Sequence, residues 1–116
     1  MEEFVTFDIA KKLNEKGFNW ICSHYYRTND KKLFMIFPSE DWSYIEERIS
    51  APTISQALKW LREVKKIHIG VLYHGYYAVW IQPMKRNEAE HVIHECKTNE
   101  AAELEGIEFI LDNNLI

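Results

Sequence analysis

Apolar residues recur at helical spacing in three places along the chain, and the stretches between them alternate or run together as strands do. Near the start, Thr6 is an N-cap residue ahead of Ile9, Ala10 and Leu13, which share one face of a helix from Phe7 to about Lys16. Val5 is placed to staple against Ala10, and Gly17 at C′ with Phe18 at C″ over Leu13 spells a Schellman ending. In the middle, Pro52-Thr53 with Gln56 three residues on predicts a helix over 53–66. Its stripe is Ile54, Ala57, Leu58, Leu61 and Val64, with Trp60 at the border. At the end, Thr98 caps a third helix through Leu111, with Ala101, Leu104, Ile107 and Leu111 facing inward. Ala102, Gly106 and Phe109 make a second, small-residue face on that helix.

Between the second and third helices, Ile67–Tyr73 and Tyr76–Gln82 are β-rich runs flanking His74-Gly75, the pattern of a two-residue hairpin over 67–82. Counting outward from that turn pairs Tyr73 with Tyr76, Val71 with Ala78 and Ile69 with Trp80. Earlier, Trp20–Tyr26 and Leu33–Phe37 form another hairpin across the polar turn from Thr28 to Lys31. Pro38-Ser39 ahead of Glu40–Arg48 predicts a short helix or a loop, and His91–Cys96 adds a further strand. The whole is an α+β protein, three main helices packed on a mainly antiparallel sheet. Neither a repeat nor a Pro/Gly-rich linker interrupts it, so residues 1–116 are read as one domain.

Composition narrows the class of function. The chain is 47% apolar and 14% aromatic over 116 residues, enough for a packed core. A net charge of −4 argues against indiscriminate nucleic-acid binding. Its distribution is uneven: Lys59, Arg62, Lys65 and Lys66 end the second helix, whereas Glu100, Glu103, Glu105, Glu108 and Asp112 make the third acidic. The acidic Met-Glu-Glu start and the lack of a long apolar run predict a cytoplasmic protein with no membrane partner. Cys22 and Cys96 lack any CxxC spacing and are expected as free, buried thiols.

The chemistry-bearing residues do not assemble into a catalytic motif. On a strand His91 and His94 point to opposite faces, so only His94 and Cys96 converge, and a zinc site would need Cys22 or His24 from elsewhere. With neither a nucleophile elbow nor a glycine-rich phosphate loop, the reading is a non-enzymatic binding protein with no cofactor and no metal. One candidate surface is aromatic: Tyr25, Tyr26, Tyr73, Tyr76, Tyr77 and Trp80 would line a groove for a base, a nucleotide-like small molecule or a peptide, unless they form the core of a two-sided sheet. An alternative is a winged helix, with Ser55, Gln56, Lys59 and Arg62 in a DNA major groove and the 67–82 hairpin as wing. Against it stand a short, apolar wing and the acidic balance. The two apolar hairpin faces and the Ala102-Gly106-Phe109 face together predict a homodimer.

Several stretches are specific as text: Phe4-Val-Thr-Phe7 leading to Leu13-Asn-Glu-Lys-Gly-Phe18, Ile49-Ser-Ala-Pro-Thr-Ile-Ser-Gln56 with Leu58-Lys-Trp-Leu-Arg-Glu63 and Ile67-His-Ile69, and Gly106-Ile-Glu-Phe-Ile-Leu-Asp-Asn113. In these the chain resembles a family of small uncharacterised proteins of bacterial genomes, their prophages and other mobile elements. The resemblance implies an accessory protein of unknown biochemical role, with no catalytic residues to carry over; with the absent catalytic motifs and the aromatic surplus, the expectation is a binding or regulatory protein that acts on a host protein or a small signalling molecule.

Overall fold

The computed structural model describes residues 3–40, 48–73, 75–83 and 91–116. It is an α+β fold of three helices and two antiparallel sheets, and the chain divides into two compact units, Met1–Thr53 and Ile54–Ile116. The strands are thus shared between two three-stranded sheets rather than gathered into one.

In the first unit, helix α1 (Phe7–Glu15) begins where Thr6 accepts the Ile9 N–H on its side chain at 3.3 Å. It ends in a Schellman motif, with Gly17 at φ 99°, Gly17 N–H donating to Asn14 C=O and Phe18 N–H to Leu13 C=O at 3.0 Å. Phe18 and Leu13 are both buried, so this ending also fills the core. Strand β1 (Cys22–Arg27) lies between β2 (Leu33–Glu40) and β3 (Arg48–Ser50). β2 runs through Pro38 and Ser39, and β3 opens at Arg48, so both ends of the helix expected over Glu40–Arg48 are strand; residues 41–47 lie outside the described residues. β2 begins as an edge strand in which a proline costs no sheet bond if its nitrogen faces outward.

Side-chain hydrogen bonds fix α1 and the chain before it to this sheet. The Asn14 amide donates to Ala10 C=O and, across 36 residues, to Ser50 C=O. The Tyr26 hydroxyl donates to Val5 C=O at 2.6 Å while Phe7 packs edge-on against its ring. Burial raises the Tyr26 pKa, which keeps that donor protonated.

In the second unit, α2 (Ile54–Glu63) and α3 (Asn99–Asp112) pack side by side on a sheet of order β4 (Ile67–Tyr73), β5 (Tyr77–Pro83), β6 (His91–Cys96). On α2 the buried positions are Ile54, Ala57, Trp60 and Leu61. The expected stripe is rotated: Leu58 is half-buried, Val64 is exposed beyond the helix end, and the Trp60 indole, with most apolar area to gain, takes the centre.

The hairpin register is corrected by one residue. Tyr73 pairs with Tyr77, Val71 with Val79, Ile69 with Ile81 and Gly70 with Trp80, so Ile69 does not face Trp80 and the loop has three residues, 74–76, with Gly75 at φ 81°. The shift changes every cross-strand partner, and two glycines give the physical reason. A Cβ at Gly70 would overlap the Trp80 indole, so the ring lies across the space the glycine leaves. On the opposite face, Ile67, Ile69, Val71, Val79 and Ile81 now stand together, and α3 settles on them at Gly106, where a Cβ would meet Ile69 Cγ2 at 3.0 Å and Val79 Cγ2 at 3.1 Å.

Two of the three residues on the α3 face expected to receive a second copy, Ala102 and Gly106, are therefore turned into the unit. Ala102 and Gly106 are fully buried with Ile107, Ile110 and Leu111, whereas Ala101, Leu104 and Phe109 are half-buried. The small residues face inward because only they allow the helix backbone this close to a β-branched sheet face.

Gly70→Ala is expected to destabilise the protein by about 1–3 kcal/mol in urea unfolding, the cost of overpacking. In a double-mutant cycle most of that loss should disappear on a Trp80→Ala background, because the overlap is with that ring. Equal losses in both backgrounds would refute the packing account.

Candidate functional site

The six aromatic candidates fall in four separate places. Tyr26 lies on the α1 side of the first sheet and is occupied by Val5 and Phe7. Trp80 is on the opposite face of β5 from Tyr77, over Gly70 and beside His68, with ring centroids 5.3 Å apart. Tyr73, Tyr76 and Tyr77 meet Gly75, Cys96 and Lys97 around an open cavity of about 460 Å³, the Tyr73 and Tyr77 rings meeting edge-on at 5.0 Å. Tyr25 alone remains on the outer face of the first sheet.

That face holds a constellation the sequence reading did not single out. Antiparallel pairing puts Tyr25 opposite Phe34 on one side and Ser50 on the other, and two residues along puts Arg27 opposite Arg48. Side chains two apart on a strand share a face, so Tyr25, Arg27, Phe34 and Arg48 form one layer. The rings of Tyr25 and Phe34 stack at 5.6 Å; the Arg27 guanidinium lies over Phe34 at 4.5 Å and that of Arg48 over Tyr25 at 4.8 Å. Such contacts hold each planar cation in a defined orientation.

Next to this layer the turn from Thr28 to Lys31 closes a cavity of about 250 Å³ lined by Arg27, Thr28, Asn29 and Arg48. Lys31, at φ 56°, donates its N–H to Arg27 C=O at 2.8 Å and lets the chain reverse. Asp30 binds Arg27 through Nε and Nη2 and accepts the Lys32 N–H at 3.2 Å. The hydrogen bond from Arg27 lowers the Asp30 pKa most, helped by the Lys32 N–H and by both cations; the same bond raises that of Arg27. Arg27 and Lys32 flank the Asp30 carboxylate, and strand pairing sets Arg48 opposite Arg27.

Of the residues assigned to the DNA alternative, Ser55, Lys59 and Arg62 are exposed on α2 and Gln56 is half-buried. Lys59 reaches Glu63 at 3.8 Å, so that helix face carries an acid among its cations. The side chains of His91 and His94 lie outside the described residues. Cys96 is buried, and its thiol donates to Glu105 Oε2 at 3.2 Å. Among the described residues no group of three His, Cys, Asp or Glu side chains is arranged to hold a metal ion, and no helix is long and apolar enough to cross a membrane.

A periodic signal for the missed layer was present: Tyr25-x-Arg27 on one strand and Lys32-x-Phe34 on the next, across a four-residue turn. Arg48 had no such signal, because its segment read as the end of a helix. No protein family, curated protein or solved structure matches the chain.

Burial, then the hydrogen bond to Glu105 and its charge, push the Cys96 thiol up to about 11. A folded-state pKa raised above the unfolded value gives stability that is complete below about pH 9 and is lost as pH rises toward 11. Urea midpoints measured from pH 7 to 11 should therefore fall above pH 9, and Cys96→Ala should flatten that part of the profile.

Proposed function

We propose that this is a non-enzymatic binding protein that captures an oxyanion-bearing, nucleotide-like small molecule at the tip of the first hairpin. The observation that carries the reading is the cross-strand pair Arg27 and Arg48, each guanidinium stacked on an aromatic ring and both lining one cavity. Planar guanidinium groups also recognise phosphate and carboxylate through paired N–H donors, and their outer faces stack on heterocycles. Thr28 and Asn29 bring side-chain hydroxyl and amide groups to the same cavity.

Small-molecule capture fits a binding or regulatory accessory protein of phage or mobile-element type that acts on a small signalling molecule. It differs from the winged-helix reading in where the decisive charges lie: the β1 and β3 strands for the first, Lys59 and Arg62 on α2 for the second.

Titration calorimetry with the four ribonucleoside 5′-monophosphates separates the two. Arg48→Gln and Arg27→Gln should each weaken binding about 10-fold or more, in line with about 1.5–3 kcal/mol for charge-assisted hydrogen bonds. Lys59→Glu with Arg62→Glu should leave it unchanged. Loss of binding in the α2 variant, with both strand variants at wild-type affinity, would refute the assignment.

A further inference from the structure

We propose that the outer edge of β4 is an interface at which two copies of this chain join their second sheets, antiparallel about a twofold axis at Gly70.

The two sheets have four outer strands, and an outer strand with open N–H and C=O groups pairs with another chain unless something blocks it. Three of the four are blocked. β3 is three residues long. β2 contains Pro38 and meets β1 with a break in register between Cys22 and His24. β6 meets β5 with a break in register between Tyr77 and Val79. β4 has no such device: its seven residues, Ile67-His-Ile-Gly-Val-Leu-Tyr73, include no Pro, Lys, Arg, Asp or Glu and follow β5 in unbroken register. Among the described residues it pairs with β5 alone.

Backbone geometry then places the axis. Facing residues of an antiparallel pair both turn their hydrogen-bonding groups toward the partner or both away, so a twofold must pass through a residue and not between two. At Gly70 it pairs all seven positions, and each step along the strand would lose two of them.

The side chains fit a copy of the same strand. On the α3 face Ile69 of one copy meets Val71 of the other, β-branched against β-branched; on the opposite face His68 meets Leu72. At the axis Gly70 meets Gly70 with no side chain to collide, and the Trp80 indole, which reaches over Gly70 to this edge, finds its counterpart across the axis. Leu72 and Tyr73, exposed in the single chain, are brought beside His68 and Ile67 of the other copy. A charged foreign strand finds no counter-charge on this edge, whereas a second copy meets apolar or uncharged groups at every position. The second copy expected from the sequence thus joins at a sheet edge, with Ala102 and Gly106 left inside each unit.

The test is sedimentation equilibrium of the whole chain up to about 0.5 mM, which covers weak as well as tight pairing. The wild type should dimerise. His68→Lys with Leu72→Lys sets like charges opposite each other on both sides of the axis and should give a monomer; His68→Lys with Leu72→Glu sets opposite charges there and should restore the dimer, circular dichroism reporting an intact fold in both. Mild oxidation of His68→Cys with Leu72→Cys should give a covalent dimer, and Leu72→Cys alone should not. These positions meet between copies, whereas within one strand they stand about 13 Å apart, too far to bridge. A wild-type monomer throughout the concentration range, or a dimer that survives the paired lysines, would overturn the interface. Equal cross-linking of Leu72→Cys alone and of the double variant would overturn the axis at Gly70.

Discussion

The pairing of Gly70 with Trp80 governs how the second unit is built. An indole lying across a glycine accepts one register and excludes its neighbours, because a side chain with a Cβ opposite the ring would overlap it. Once that register is set, the β-branched residues of β4 and β5 stand on one face, and that face alone is apolar and smooth enough to take a helix. Gly106 completes the arrangement. It lets the α3 backbone approach the Ile69 and Val79 methyl groups, and Trp60 and Leu61 of α2 and Ile107 and Ile110 of α3 are buried in the same unit. Two residues without a Cβ, on opposite faces, thus decide the packing of three elements.

The first unit uses polar anchors in place of a close helix-to-sheet approach. Asn14 ties α1 to β3 and Tyr26 ties the N-terminal segment to β1, each through a hydrogen bond between residues distant in sequence. Such bonds contribute about 1 kcal/mol net, but they also decide which face of the sheet α1 covers. With Tyr26 directed to that side, strand alternation turns Tyr25 and Arg27 to the other. The proposed binding layer is therefore a by-product of the anchoring: the residue that fixes the helix side leaves its two neighbours on the opposite face.

Strand pairing brings the cations at positions 27, 32 and 48 onto one hairpin, although the first unit, residues 1–53, itself carries seven Lys and Arg against nine Asp and Glu. For the proposed layer, the groups within a Debye length of about 8–10 Å matter more than the net charge of −4. Cys96 is a buried thiol kept protonated by its burial and by Glu105.

By itself the sequence determined what depends on neighbours in the chain. Thr6 and Thr98 cap their helices, Gly17 and Phe18 end α1, and the polar residues 28–31 reverse the chain, because caps and turns are decided by groups a few residues apart. The α+β class followed from the same local periodicities. Only the tertiary structure decided which positions face each other. The loop of residues 74–76, one longer than Gly75 alone suggested, shifted the hairpin because the Gly70–Trp80 fit and the methyl face for α3 outweigh a local turn preference. Arg48 reached Arg27 through a β3 strand of three residues, too short to carry a periodic signal and defined by its partner β1. A site made by pairing strands is legible one strand at a time in the sequence; its composition depends on the register, and the register is set by contacts between residues far apart in the chain.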